Sequence, residues 1–204
     1  MEFFKKIFKK GLKIILKFDI ILVTFDLYST KGGYMLKFLE PHYYFKKYSD
    51  VTPEFLIANN ISAVLLDVDN TLAPYELSKP DDKVLFWLNS LKKSGISFAF
   101  ISNNSSDKRI KIFNENIGAP AFARSGKPFA KKKINKALNT LGAQKENTVF
   151  MGDQILTDVL AGKIYGIRTI LVPPIKDKKN LFFKLKRLLE RPVLNNFFKR
   201  HKRT

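Results

Sequence analysis

A doubly wound, Rossmann-like α/β domain on a mainly parallel five-stranded sheet is what this sequence of 204 residues predicts. Three observations carry that prediction. The run over residues 62–68 is continuously apolar and ends in aspartates, the pattern of a central strand buried on both faces. From Met35 onward, strand-like runs alternate with helical ones, the signature of successive βαβ units. Polar residues collect where the strands should end, at the edge where open α/β sheets bind ligands.

Along the chain, residues 52–59 read as a short helix opened by Thr52, with Pro53 at its first position. The strand over 62–68 follows. Residues 80–94 place Val84, Leu85, Leu88 and Leu91 on one helical face and stop at Gly95. Residues 96–101 are the second strand, 106–116 a helix, and 121–123 a short third strand. A helix over 128–141 closes at Gly142, and 148–151 is the fourth strand. A helix over 155–165 closes at Gly166, and 167–172 is the last strand. No internal repeat is visible.

The hydrophobic content of 45% suffices for one buried core. The absence of cysteine removes disulfides, thiolate metal sites and a cysteine nucleophile, and fits a reducing compartment. His42 and His201 have no ligand-like spacing and are expected on the surface, so any metal should be a hard cation held by oxygen.

A formal net charge of +19 implies attraction to anionic partners. High Lys, Asn, Ile and Phe usage can also reflect an AT-rich genome, in which case part of this charge has no binding role. Three segments are expected: a basic amphipathic extension over 1–34, the α/β domain over 35–175, and a basic amphipathic helix and tail over 176–204. The first segment sets Phe3, Ile7, Phe8 and Leu12 against lysines, as in an interfacial helix. Lys13, Lys17, Asp19 and Asp26 interrupt it too often for a membrane span, and no small-residue cleavage site follows. A second reading starts from Lys31-Gly32-Gly33-Tyr34-Met35, whose codons can spell a ribosome-binding purine run before a start codon. On that reading translation begins at Met35.

The last segment carries 11 basic and two acidic residues. Leu181, Phe182, Leu185, Leu188 and Leu189 form an apolar face with Lys184, Lys186, Arg187 and Arg191 beside it, a pattern that suits anionic lipid. The alternative is a helix that covers the core. RNA binding by the tail has no recognisable module behind it.

Four positions at strand ends carry the chemistry. They are Asp67-Val68-Asp69-Asn70-Thr71, Ser102-Asn103-Asn104, Ser125-Gly126-Lys127-Pro128, and Gly152-Asp153 followed by Asp158. Individually each has an ordinary explanation. Asp67 and Asp69 could be loop caps, Ser102 a helix cap, Asn103 and Asn104 loop residues, and Asp158 a first-turn helix residue. In this order and combination they resemble the haloacid dehalogenase (HAD) superfamily of phosphohydrolases, over roughly residues 35–174. More narrowly, Leu65-Leu66-Asp67-Val68-Asp69-Asn70-Thr71-Leu72-Ala73-Pro74 and Val149-Phe150-Met151-Gly152-Asp153-Gln154-Ile155-Leu156-Thr157-Asp158 are similar to the YqeG group of subfamily IIIA phosphatases. That group is related to the phosphatidylglycerophosphate phosphatases, and its usual opening favours Met35 as the natural start.

The resemblance implies a HAD-like fold and a phosphomonoester hydrolase. It implies Asp67 as nucleophile, forming an aspartyl-phosphate, and Asp69 as general acid and base. It implies Mg²⁺ held by the Asp67 carboxylate, the Asp69 backbone carbonyl, Asp153 and waters, with Asp158 on the metal side. Lys127, Ser102, Thr71 and Asn103 would then attend the phosphate or its loop. The intervals between motifs cannot hold a cap domain, so an open site and a large, lipid-borne phosphate such as phosphatidylglycerophosphate are expected. The chain would then be cytoplasmic, peripheral on the inner face of the membrane. Alternatives are protein or nucleic acid phosphates as substrates, or a phosphate-binding or ribosome-binding protein without turnover.

Overall fold

The computed structural model describes residues 34–176 and 181–201. The chain divides into two compact units, 1–38 and 39–204. Almost all of the first lies outside the described residues, and with it the expected amphipathic extension and the question of a start at Met35.

Among the described residues the sheet has six strands, all parallel, in the order β1-β6-β5-β2-β3-β4. The strands are β1 (Tyr43–Tyr44), β2 (Ala63–Leu66), β3 (Ser97–Ile101), β4 (Ala121–Phe122), β5 (Thr148–Gly152) and β6 (Arg168–Leu171). The fold class matches the expectation, with one strand more than the five expected. Strand β1 pairs with the β6 edge through Tyr43↔Ile170 and Tyr44↔Leu171. Two residues carry no period that a sequence can show; long-range pairing alone makes them a strand.

Alternation across β2, β3 and β5 builds a core on each face of the sheet. Val64, Leu66, Phe98, Phe100, Val149 and Met151 point to one side. There they meet Leu56 of α2 (Pro53–Ala58), Val84, Trp87, Leu88 and Leu91 of α3 (Asp82–Lys93), and Ile110 and Phe113 of α4 (Asp107–Asn114). Leu65, Ala99, Ile101 and Phe150 point to the other side, against Ile134, Ala137 and Leu138 of α5 (Lys131–Leu141) and Ala161 of α6 (Leu160–Ile164). The short helix Tyr34–Leu39 precedes these elements as α1.

Helix starts follow local chemistry. Thr52, Asp81 and Ser106 each accept a hydrogen bond from the backbone three residues on, at 3.2, 2.8 and 3.2 Å. The expected start of α5 at residue 128 moves to Lys131, because residues 127–130 turn to deliver Lys127. The expected helix over 155–165 is split. Ile155–Val159 is a π-helical turn that runs into α6, with the Val159 amide donating to Gln154 O at 3.3 Å.

The last helix, α7 (Leu181–His201), buries Val193, Phe197 and Glu190 in the α/β unit. Phe197 and Phe198 pack on Tyr44, and Asn196 and Arg200 hold Glu40. Of the two readings of this segment, covering the core is the one these contacts favour.

Candidate active site

Strand register assembles the site. Leu66 aligns with Phe100 on β3 and with Met151 on β5. Asp67 therefore lies one step beyond the ladder, with Ser102 and Asp153 at the adjoining ends. In strand order, β2 and β5 are the neighbours between which the chain reverses its winding. This is the switch point where open sheets form a crevice. The turn after β2 is tight: Asn70 takes a left-handed φ of 67°, and its amide donates to Ala73 O at 2.7 Å.

Lys127 is the hub. Its Nζ lies 2.6 Å from Asp67 Oδ1 and 2.7 Å from Asp158 Oδ1, and all three side chains are buried. Thr71 Oγ1 donates to the other Asp67 oxygen at 3.1 Å. Asp67, Asp153 and Asp158 each offer an oxygen, all within 4.8 Å of one another. Burial, above all, pushes the Asp67 carboxyl up to about 8; Lys127 opposes this, and Asp158 and Asp153 add to it. Burial likewise pushes Asp153 up to about 7, with Asp158 adding and Arg187 opposing. Lys127 and Arg187 thus leave negative charge uncompensated at three converging carboxylates. An all-oxygen donor set with excess negative charge fits a hard divalent cation such as Mg²⁺.

Asp69 stands apart from that triad. Its carboxylate accepts from Arg109 Nε at 2.6 Å, Asn104 Nδ2 at 3.0 Å and Ser102 Oγ at 3.3 Å. Arg109 is itself fixed by Leu77 O and Pro74 O at 2.7 and 3.1 Å.

Three residues expected to attend the phosphate or its loop are engaged with protein groups around it. The Thr71 hydroxyl serves Asp67, and Ser102, fully buried, serves Asp69. The Asn103 amide braces the lysine loop: Oδ1 accepts from Lys127 N at 2.8 Å and Ser125 Oγ at 2.7 Å, and Nδ2 donates to Lys127 O at 3.1 Å. Thr71 and Ser102 are buried and spend their hydroxyls on the two aspartates, whereas Asn103 lines the cavity while bracing the lysine loop.

Asp158 reaches the site through the π-helical turn, where its Oδ2 accepts from Gln154 N at 3.1 Å. Gly152 makes room for it. A Cβ at that position would stand 2.3 Å from Asp158 Cγ. Gly152→Ala is therefore expected to displace Asp158 and cost about 1–3 kcal/mol of stability, as overpacking does. Thermal melting checks this; an unchanged melting temperature would refute the contact.

Sequence reasoning missed Arg109, Tyr75 and the contribution of α7 to the site, and read Asn104 only as a loop residue. Arg187, read as lipid-facing, binds Asp153 Oδ2 at 2.5 Å, Asp153 O at 2.6 Å and Glu190 Oε2 at 2.9 Å. Glu190 Oε1 accepts from Leu156 N at 3.2 Å and so ties α7 to the turn that carries Asp158. Lys186 donates to Gln154 Oε1 at 2.5 Å. Helical periodicity located the basic stripe, but which side faced inward depended on carboxylates distant in sequence. A cavity of about 460 Å³ opens beside these groups, lined by Asp67, Asp69, Tyr75, Lys127, Asp158 and Lys186 among others.

The raised carboxyls make stability pH-dependent. A folded state that binds Asp67 and Asp153 protons more tightly than the unfolded chain is stabilised below the ordinary carboxylate range, and that contribution is lost as pH rises through about 7–8. In EDTA the melting temperature should fall between about pH 6 and about pH 9, with Mg²⁺ raising it most at the alkaline end. A melting temperature that rises with pH in EDTA would contradict this.

Residues 125–177 match the HAD-hydrolase-like family model. The probable phosphatase YqeG of Bacillus subtilis (strain 168) is 34% identical over 159 residues, covering 78% of this chain and 91% of that protein. Among solved structures, an uncharacterized protein from Listeria monocytogenes serotype 4b has a TM-score of 0.47 at 20% identity, over 59% of this chain and 85% of that one. The 3-deoxy-D-manno-octulosonate 8-phosphate phosphatase of Moraxella catarrhalis has a TM-score of 0.40 at 18% identity, over 72% and 95%. With 91% of the Bacillus protein spanned at that identity, and the HAD-hydrolase-like match falling on the lysine and Asp153 motifs, this chain belongs to the YqeG family of HAD-type phosphatases.

Proposed function

We propose that this chain is a Mg²⁺-dependent phosphatase that works through an aspartyl-phosphate on Asp67. Its leading substrate is phosphatidylglycerophosphate at the inner face of the cytoplasmic membrane. The observation that carries the mechanism is the Asp67 carboxylate at the cavity wall, held by Lys127 at 2.6 Å and Thr71 at 3.1 Å within a cluster of three acidic groups.

An Asp67 oxygen attacks phosphorus, the ester P–O bond breaks, and Asp69 gives the leaving oxygen a proton. Water then attacks the aspartyl-phosphate and passes its proton to Asp69, the bond to Asp67 breaks, and inorganic phosphate leaves. Arg109, Asn104 and Ser102 orient Asp69 for both transfers. Mg²⁺, held by Asp67, Asp153 and Asp158 with the Asp69 carbonyl, would supply positive charge against the repulsion between carboxylate and phosphoryl dianion. Arg187 orients Asp153 from behind.

Support for a lipid substrate comes from the net charge of +19, the open cavity, and the YqeG resemblance. Leu77 and Phe129, 49% and 58% exposed, each follow a cavity-lining residue by two positions in sequence. Among the described residues no helix is long and apolar enough to cross a membrane. The test compares phosphate release from vesicles containing phosphatidylglycerophosphate with release from water-soluble esters, each in Mg²⁺ and in EDTA. Faster release from vesicles, abolished by EDTA, is expected. Equal rates on both substrates would defeat the lipid assignment, and undiminished release in EDTA the metal.

A further inference from the structure

Cations and carboxylates at the site do not pair off completely. Lys127 meets Asp67 and Asp158, Arg109 meets Asp69, and Arg187 meets Asp153 and Glu190. Lys186 is the exception among the described residues: it lines the same cavity but makes no ion pair, and its ammonium donates to the neutral Gln154 Oε1. An ammonium has three donors, so two remain for another acceptor. A half-buried cation beside a cavity, with Glu190, Asp158 and Asp153 near but none in contact, has donors free for an anionic ligand.

The phosphoryl position does not need it. Lys127 already sits against the attacking oxygen, and a cavity of about 460 Å³ is far larger than a phosphoryl group. Room therefore remains for the part of the substrate that does not react. We propose that Lys186 binds a second anionic group on the substrate, separate from the phosphoryl group at Asp67. The substrate class is thereby narrowed to phosphate monoesters that carry a further phosphodiester or carboxylate. This rests on the phosphatase reading of the site but not on the lipid. Helix α7 contributes Lys186 to the cavity lining, where it discriminates between substrates rather than performing chemistry.

Calorimetric titration of the full chain in excess Mg²⁺ tests this with two ligands that differ by one carboxylate, 3-phosphonopropionate and propylphosphonate. Wild type should bind the first at least about tenfold more tightly, as expected of a charge-assisted contact in a partly buried site. Lys186→Gln should bring the ratio close to one, and Lys186→Arg should preserve it. A wild-type ratio near one, or a Lys186→Gln variant that weakens both ligands equally, overturns the inference. Turnover of p-nitrophenyl phosphate by wild type is measured alongside. Turnover without a preference for two anions sinks this inference alone, whereas no turnover and no binding of either ligand sinks the phosphatase reading with it.

Discussion

Replacing Asp67 by asparagine is expected to lower phosphomonoester hydrolysis by about 10³-fold or more, because an amide oxygen is too poor a nucleophile to form the aspartyl-phosphate. The fold should survive. The wild-type carboxyl is pushed up to about 8 by burial, so a neutral amide of the same shape removes a buried charge that the folded state holds at a cost. Lys127 can still donate to the amide oxygen, the Thr71 hydroxyl at the other arm can turn to accept from the amide nitrogen, and Lys127 keeps Asp158 at 2.7 Å. Steady-state rates and melting curves on the purified variant check both halves. Retention of a tenth of the wild-type rate would remove Asp67 from the nucleophile's role. A collapse in stability would show that its main work is structural.

Lys127→Met should do the reverse, damaging fold and activity together. The substitution leaves Asp67 and Asp158 buried without the cation they share at 2.6 and 2.7 Å. Breaking a buried pair by removing one partner costs about 3–5 kcal/mol. For a chain of this length that is a fall of roughly 10 °C in melting temperature. The loss should be larger at alkaline pH, where the raised Asp67 and Asp153 carboxyls give up their protons, and Mg²⁺ should restore part of it. A melting temperature within about 2 °C of wild type at alkaline pH in EDTA would show that solvent already screens the cluster.

The contrast between these variants shows how the site works as a unit. On these expectations Asp67 is dispensable for folding and required for chemistry. Lys127 is the charge around which the others can be buried at all. Gly152 shows the same dependence, since the space a Cβ would fill is where Asp158 approaches.

Much of this was legible in the sequence. Continuous apolar runs ending in Asp67, Ser102 and Asp153 identified the strands and their carboxyl edge, because burial on both faces and the polar demand of a ligand crevice leave direct marks on residue order. Lys127 and Asp158 were reached only through the resemblance to HAD phosphohydrolases, since each alone reads as a solvated lysine or a first-turn helix residue. The start of α5 was misplaced and the π-helical turn unforeseen, since both answer to where a side chain must arrive rather than to local propensity.

What the tertiary structure alone decided is which polar partner each motif residue takes. Thr71 turns to Asp67, Ser102 to Asp69, Asn103 to the lysine loop, and Arg109 closes on Asp69 from a helix with no motif of its own. The basic stripe of α7 was visible as a stripe, yet Lys186 and Arg187 face the site, while Leu188, placed on its apolar face, is 55% exposed. Periodicity specifies which residues share a helix face. It cannot specify what that face meets, and here it meets carboxylates gathered from two distant segments of chain, Asp67 on one and Asp153 with Asp158 on the other.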